Sequence, residues 1–135
     1  MLRVTRAIEF SASLRYRLPD LSEQENRRRF GREASQHGHN YRLEISVRGE
    51  PDPETGMVIN LSELKAIAER EIMARFDQND LNAESSYFEK QPPTPENFAR
   101  VIFEILREAL APGLLDRVRL HQDANLYVDV IGPNP

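Results

Sequence analysis

The strongest structural signal in the chain lies in residues 37–48, which read HGHNYRLEISVR. From position 41 onward, the apolar side chains Tyr41, Leu43, Ile45 and Val47 alternate with polar ones. Because successive side chains on a β-strand point to opposite faces of the sheet, this alternation predicts a strand. One face of that strand is expected to be buried and the other to be solvated.

The flanking segments supply the other elements of an α+β fold. Alternation predicts further strands over residues 2–13, 117–122 and 126–131. A capping box at 22–25 predicts a short polar helix to about residue 30, and helical spacing predicts longer helices over 60–76 and 94–109. This order favours a four-stranded antiparallel sheet with two long helices on one face. Its two free edges favour pairing with further copies of the chain.

Length and composition restrict the class of protein. The 135 residues, with a mass of 15.6 kDa, fit one domain spanning 1–135. The absence of cysteine excludes disulfides, thiolate metal ligands and a cysteine nucleophile. A net charge of −4 and the lack of a long apolar run argue against nucleic-acid and membrane partners. The cytoplasm is the expected compartment.

The first chemical feature is the pair His37 and His39, two positions apart at the start of the predicted strand. Residues i and i+2 of a strand share a face, so both imidazoles could reach one metal ion. Zinc sites use at least three protein ligands, and a lone pair is therefore a weak signal. The alternative is a pair of pocket histidines that are hydrogen-bonded to the backbone.

Candidate acids, bases and anion ligands lie at scattered positions. Glu33 precedes the histidines, Asp77 follows the first long helix, and Glu96 lies in the first turn of the last helix, where it could instead serve the helix terminus. The arginines at 27–29, together with Arg32, could hold a phosphate or another anion. The alternative is a solvated helix face, which is the commoner role of such a run.

Several motifs occur together in one order, namely Phe10-Ser11-Ala12-Ser13, Phe30-Gly31-Arg32, HGHNY at 37–41, DPETGMV at 52–58, Asp80-Leu81-Asn82 and Pro93-Thr94-Pro95-Glu96-Asn97. With them the whole chain resembles the 6-pyruvoyltetrahydropterin synthase / 6-carboxytetrahydropterin synthase family. The resemblance implies the tunnelling fold (T-fold), in which three subunits close a barrel and two rings form a homohexamer with active sites between subunits. It also implies a zinc lyase that acts on 7,8-dihydroneopterin triphosphate.

Carried over by position, the resemblance implies several replaced site residues. His37 and His39 match two of the family's three zinc histidines, whereas Leu14 stands at the third position. Glu33 stands where the family has its catalytic cysteine, and Asp77-Gln78 stands for a catalytic Asp-His pair. Gln122 replaces the pterin-anchoring glutamate, while Thr94 matches a threonine that contacts the pterin.

These replacements lead to the expectation of a divergent homologue that is not an authentic synthase. Such a protein would bind a pterin-like planar heterocycle through Gln122, Thr94, Gln78, His37 and His39, and no zinc cofactor is expected. Because an amide offers one donor and one acceptor, Gln122 would select a different ring edge from a glutamate.

Three alternatives stay open. The first is a lyase or aldolase on a dihydroneopterin derivative, with Glu33 as base and Asp77 as the second catalytic group. The second is a zinc ion held by His37, His39 and Glu33. The third is a non-catalytic structural subunit.

Overall fold

The computed structural model describes residues 1–132. It contains the strands β1 (Leu2–Leu14), β2 (His37–Gly49), β3 (Asn79–Asp80), β4 (Leu115–Asp123) and β5 (Leu126–Ile131). The helices are α1 (Glu23–Phe30), α2 (Leu61–Ala68), α3 (Ala74–Phe76) and α4 (Pro95–Ala109). Short 3₁₀ turns occupy Gly31–Ala34 and Ser86–Phe88, and a π-helical turn occupies Glu69–Met73. The strands and long helices predicted from the sequence are thus confirmed, with ends shifted by a few residues.

The sheet has five strands in the order β3-β1-β2-β4-β5, and it is mixed. Four strands pair antiparallel as predicted, whereas β3 runs parallel to β1. The backbone N–H of Gln78 donates to the oxygen of Ser11 at 2.6 Å, and that of Leu81 donates to the oxygen of Ser13 at 2.8 Å. The prediction of a purely antiparallel four-stranded sheet was therefore wrong in this detail, because two residues with no alternation of their own add to the outer edge of β1.

The first long helix changes its hydrogen-bonding pattern along its length. The predicted helix over 60–76 is divided into α2, the π-helical turn and α3, which follow one another without a break. Asn60 caps α2 by accepting from the N–H of Ser62 at 2.9 Å, and Thr94 caps α4 by accepting from the N–H of Asn97 at 3.1 Å. Within residues 1–132, no helix is both long and apolar enough to cross a bilayer.

An aromatic cluster fills the core below one end of the sheet. Phe10 stacks on Tyr41, with ring centroids 5.3 Å apart, and the ring of Phe98 meets the ring of Tyr41 edge-on at 5.2 Å. Phe76 and Phe88 pack edge-on against Phe98 as well. Such edge-to-face packing fixes ring positions in addition to burying apolar area. The cluster thus packs tightly beneath the ends of the strands that carry the histidines.

The helix α1 is fastened to the loop that leaves β1. The buried side chain of Asn26 accepts from the N–H of Leu18 at 2.9 Å, and it donates to the oxygens of Leu18, Leu21 and Ser22 at 3.1–3.3 Å. The backbone N–H of Tyr16 donates to the oxygen of Glu33 at 2.7 Å. These bonds hold the segment 15–18 beside the segment 26–33.

Candidate functional site

The histidine pair lies at the start of β2, directly beside the end of β1. The pairing of the two strands sets Leu14 opposite His37 and Ala12 opposite His39. The two imidazole centroids are 5.1 Å apart with nearly perpendicular planes, so both rings share one face as predicted. His37 Nδ1 lies 2.7 Å from the carbonyl oxygen of Ser35. Because a carbonyl only accepts, Nδ1 carries the proton, and Nε2 of a neutral His37 is a free acceptor.

His39 is held in its neutral form at pH 7. Burial lowers the pKa of His39 from its ordinary value of 6.5, and neighbouring His37 lowers it further. The negative charges of Asp123 and Glu33 raise the pKa, but they do not cancel the first two effects. A neutral imidazole can accept a proton, so His39 is suited to act as a base near neutral pH.

Tyr16 belongs to the same site, although the sequence analysis did not single it out. Its ring centroid is 6.2 Å from that of His37 and 5.8 Å from that of Phe30. Burial raises the pKa of Tyr16, as do the nearby charges of Glu96 and Glu33. The sequence offers one signal for Tyr16. The apolar residues that occupy every second position in the second half of β1, up to Leu14, continue with Tyr16 one step beyond the end of the strand. Asp123 was missed too, and only the tertiary fold brings it near His39.

Asp77 and Gln78 reach the site from the edge of the sheet. Asp77 Oδ1 accepts from the N–H of Ser11 at 3.0 Å. Gln78 has a positive φ of 63°, which is uncommon for a residue with a side chain and is often found at functional positions.

Two neighbouring cavities lie beside these residues, and one of them reaches His39. A cavity of about 330 Å³ is lined by His39 and Gln78, and one of about 470 Å³ is lined by Asp77, Gln78 and Tyr41. Both cavities are also lined by Ser11 and Asn40. The structure therefore places Gln78 beside the cavity of His39 and Asp77 beside the neighbouring one, and the roles assigned to both residues stay predictions.

The pterin contacts predicted for Thr94 and Gln122 stay predictions. The side-chain oxygen of Gln122 is buried and has no hydrogen-bond partner among residues 1–132. The hydroxyl of Thr94 is used as the cap of α4. Neither residue lines the two cavities beside His39. A buried acceptor without a donor is costly, and at Gln122 it is an observation that a bound N–H donor would explain.

The side chains present do not fit a zinc ion with three protein ligands. Leu14, opposite His37, is fully buried and has no donor atom. In the part of the chain that the structure describes, no three histidine, cysteine, aspartate or glutamate side chains are arranged to hold a metal. Glu33, the third ligand of the alternative metal site with His37 and His39, lies exposed on the 3₁₀ turn, and that alternative stays a prediction.

Comparisons with known proteins identify the family. The family model of 6-pyruvoyl tetrahydropterin synthase matches residues 3–132. The chain belongs to the 6-pyruvoyl tetrahydropterin synthase family. It is 42% identical to the 6-pyruvoyl tetrahydrobiopterin synthase of Drosophila melanogaster, over 98% of this chain and 80% of that protein. It is 40% identical to the synthase of Homo sapiens, over 93% of this chain and 88% of that protein. The structure of the Caenorhabditis elegans 6-pyruvoyl tetrahydropterin synthase matches with a TM-score of 0.91 and 30% identity, covering 98% and 96% of the two chains.

Membership of the synthase family confirms the resemblance and the T-fold, and it corrects the expectation about activity. The four replaced residues led to the prediction of a divergent homologue that is not an authentic synthase. That prediction is contradicted by relatives that are 40–42% identical over nearly the whole chain and are named synthases. The inference failed because it weighed four single positions more heavily than the similarity of nearly the whole chain.

Proposed function

We propose that the protein is a synthase of this family and converts a phosphorylated dihydropterin, 7,8-dihydroneopterin triphosphate, into a 6-pyruvoyl tetrahydropterin. The observation that carries the proposal is the 40–42% identity to proteins named for this activity. Titratable side chains at the end of β1 and the start of β2 support it. Zinc is given no part in the steps below, since the donor set around Leu14 does not fit it.

The proposed reaction is an elimination coupled to an internal redox change. The trihydroxypropyl side chain becomes a pyruvoyl group, the triphosphate leaves, and the hydrogen lost by the side chain reduces the ring from dihydro to tetrahydro. No outside oxidant or reductant is consumed. The protein must therefore remove protons from side-chain carbons and return protons to the ring and to oxygen atoms, which is the work of positioned acids and bases.

The residues of this chain suit that work in distinct ways. The neutral imidazole of His39 accepts a proton, and the burial that lowers its pKa keeps it unprotonated at neutral pH until it does so. The carboxylate of Glu33 serves as a second acceptor at the family's cysteine position. Asp77, held by the N–H of Ser11, serves as a third group at the far side of the cavities. The unpartnered oxygen of Gln122 accepts from one N–H of the pterin ring and sets its orientation.

We further propose that the chain assembles into the homohexamer that the resemblance implies, as a dimer of trimers. The edge strand β5 supports an assembly, since Leu126, Tyr127 and Ile131 are 43%, 49% and 67% exposed. The outer edge of β1 is covered by β3 only at Ala12 and Ser13. Two open edges on one sheet allow copies to pair edge to edge and close a ring.

The direct test is turnover of 7,8-dihydroneopterin triphosphate by purified protein, with release of triphosphate and the tetrahydropterin followed by chromatography. We expect turnover by the wild type, and a loss of at least about a hundredfold in His39→Gln and Asp77→Asn. Arg107→Gln, on the exposed side of α4, is the matched control and is expected to keep full activity. Pure protein of either state, hexamer or monomer, that fails to release triphosphate over many hours would overturn the proposal.

A further inference from the structure

Tyr16 lies beside the histidine pair, and the function proposed above gives it no part. Its ring centroid is 6.2 Å from that of His37, which is 5.1 Å from that of His39. The ring of His39 in turn lies 5.7 Å from that of Tyr41, so the four rings form one continuous row. A phenol in such a row adds an O–H donor to a site whose imidazoles serve as acceptors.

The backbone on both sides of Tyr16 is fixed by side-chain amides. The amide of Asn82 accepts from the N–H of Arg15 at 2.8 Å and donates to the oxygen of the same residue at 2.9 Å. Two residues beyond Tyr16, both backbone groups of Leu18 are bonded to the buried amide of Asn26. Tyr16 therefore lies outside the regular sheet but on a segment that is hydrogen-bonded from both sides. A donor fixed in this way needs little reorganisation when a ligand arrives.

The packing of the Tyr16 ring leaves its hydroxyl available. The ring meets Phe30 edge-on, with centroids 5.8 Å apart, and packs against the core as a partly buried side chain. This contact uses the ring and not the oxygen atom. Within residues 1–132 no side-chain or backbone hydrogen bond uses the hydroxyl, and it is not among the buried polar atoms that lack a partner. The O–H group is therefore accessible and free to donate to a ligand.

The surroundings of Tyr16 keep its hydroxyl protonated. Burial is the largest cause that raises the pKa of Tyr16, and the negative charges of Glu96 and Glu33 raise it further. Glu96 lies in the first turn of α4 and Glu33 on the 3₁₀ turn after α1, so two separate elements bring negative charge to this phenol. A phenol of this kind is a hydrogen-bond donor at neutral pH, whereas neutral His39 is a proton acceptor.

We propose that the hydroxyl of Tyr16 donates a hydrogen bond to an oxygen atom of the ligand's three-carbon side chain, and that this bond strengthens as the side chain gives up a proton to His39. The identity of the ligand rests on the proposed function. The pyruvoyl product has a carbonyl group on the carbon beside the ring. When the neighbouring carbon loses its proton to His39, the electron pair of the C–H bond moves toward that carbonyl oxygen, and it returns to expel the triphosphate from the third carbon. A fixed O–H donor stabilises the negative charge on the oxygen in between, and Tyr16 keeps its own proton throughout.

Tyr16→Phe removes the hydroxyl and keeps the ring that packs on Phe30. With 7,8-dihydroneopterin triphosphate as substrate, we expect kcat to fall by about 10²-fold and KM to rise by no more than about fivefold, because the bond is strongest in the transition state. Tyr87→Phe is the matched control and should keep the kcat of the wild type, since Tyr87 is 37% exposed and its hydroxyl is bonded to Arg75 at 2.7 Å. Circular dichroism of both variants checks that the fold is kept. A wild type that turns over substrate and a Tyr16→Phe variant with the same kcat would refute the role of Tyr16 and leave the proposed function standing.

A binding measurement separates this proposal from the proposed function. Fluorescence titration compares neopterin, which has the hydroxylated side chain but no phosphate, with 6-methylpterin, which has the same ring without those hydroxyl groups. We expect Tyr16→Phe to raise the Kd of neopterin by about fivefold and to leave that of 6-methylpterin unchanged. This pattern in a protein that turns over no 7,8-dihydroneopterin triphosphate would uphold the hydrogen bond and refute the proposed function. An equal change for the two ligands, no change for either, or a wild type that binds neither would overturn the assignment of Tyr16.

Discussion

Replacing Leu14 by histidine should give the chain a zinc site that its own residues do not provide. Position 14 lies opposite His37 in the pairing of β1 with β2, and His39 lies two residues further along the same face. Opposed residues of an antiparallel pair have Cβ atoms only about 4.5–5.5 Å apart. An imidazole at position 14 would therefore join two histidines that already share one face, and Nε2 of neutral His37 is a free acceptor.

The expected energies follow from the burial of Leu14, whose side chain is 0% exposed. Loss of its packing and burial of a polar ring should cost about 2–4 kcal/mol without metal. For a domain of this size that lowers the melting temperature by roughly 10 °C. Zinc at a hundred times its Kd should return about 2.7 kcal/mol and most of that shift. A metal ligated by three histidines would then recover a stability close to that of the wild type.

The assay combines thermal unfolding, with zinc or with chelator, and elemental analysis of the desalted protein. We expect about one zinc per chain in Leu14→His and near zero in the wild type, since three ligands are the usual minimum of a protein zinc site. Leu14→Gln is the matched control: it should lose similar stability and gain none with zinc. One zinc per wild-type chain, or a Leu14→His protein that binds no more than Leu14→Gln, would refute the reasoning from the donor set.

Three further predictions concern the site and its support. Glu33→Gln should lower kcat by about 10²–10⁴ with little change in KM, and exposed Glu25→Gln should not; equal rates for both would count against a base at Glu33. Asn26→Ala should lower the free energy of unfolding in urea by about 2–3 kcal/mol, because it leaves buried backbone groups of Leu18 unpaired. A loss below about 0.5 kcal/mol would contradict the stabilising role of these hydrogen bonds. As pH falls below 6.5, His39 in the unfolded chain gains a proton that His39 in the folded protein, with its lowered pKa, does not. The free energy of unfolding should therefore fall with pH, and it should fall less steeply in His39→Gln. Parallel curves of unfolding free energy against pH for the two proteins would disprove this.

Most of the fold could be predicted from the sequence because its strands are long and alternate. β2 buries Tyr41, Leu43, Ile45 and Val47 on one face, as the pattern of residues 41–48 indicated. β3 could not be predicted, since two residues carry no periodicity and gain their pairing only from the edge of β1. The π-helical turn at Glu69–Met73 was invisible for a similar reason, because one extra residue in a turn changes hydrogen bonds without breaking the apolar pattern.

The site was predicted in part. The histidine pair, Glu33 and Asp77 were singled out from motif positions, and their roles stay predictions. The structure places Gln78 at the cavity that His39 lines and Asp77 at the neighbouring cavity. Asp123 could not be found, because it approaches His39 only through the pairing of β4 with β2. The expectation about activity was wrong for another reason. Comparing motif positions shows which side chains have been replaced, but it does not show residues such as Tyr16 that the fold brings to the site from other positions.

The change at position 14 also bears on how His39 could serve as a base. Burial is the largest cause of its lowered pKa, and fully buried Leu14 and the aromatic cluster contribute apolar surroundings on that face. An imidazole bound to a metal gives its lone pair to the metal, whereas a neutral imidazole in an apolar setting keeps that pair for a proton. With leucine at position 14, where the resemblance implies a zinc histidine, the lone pair of neutral His39 stays available to a proton. Leu14→His loaded with zinc should therefore lose turnover in this chain, although it restores the three-histidine pattern that the resemblance implies, and turnover equal to that of the wild type would contradict this account.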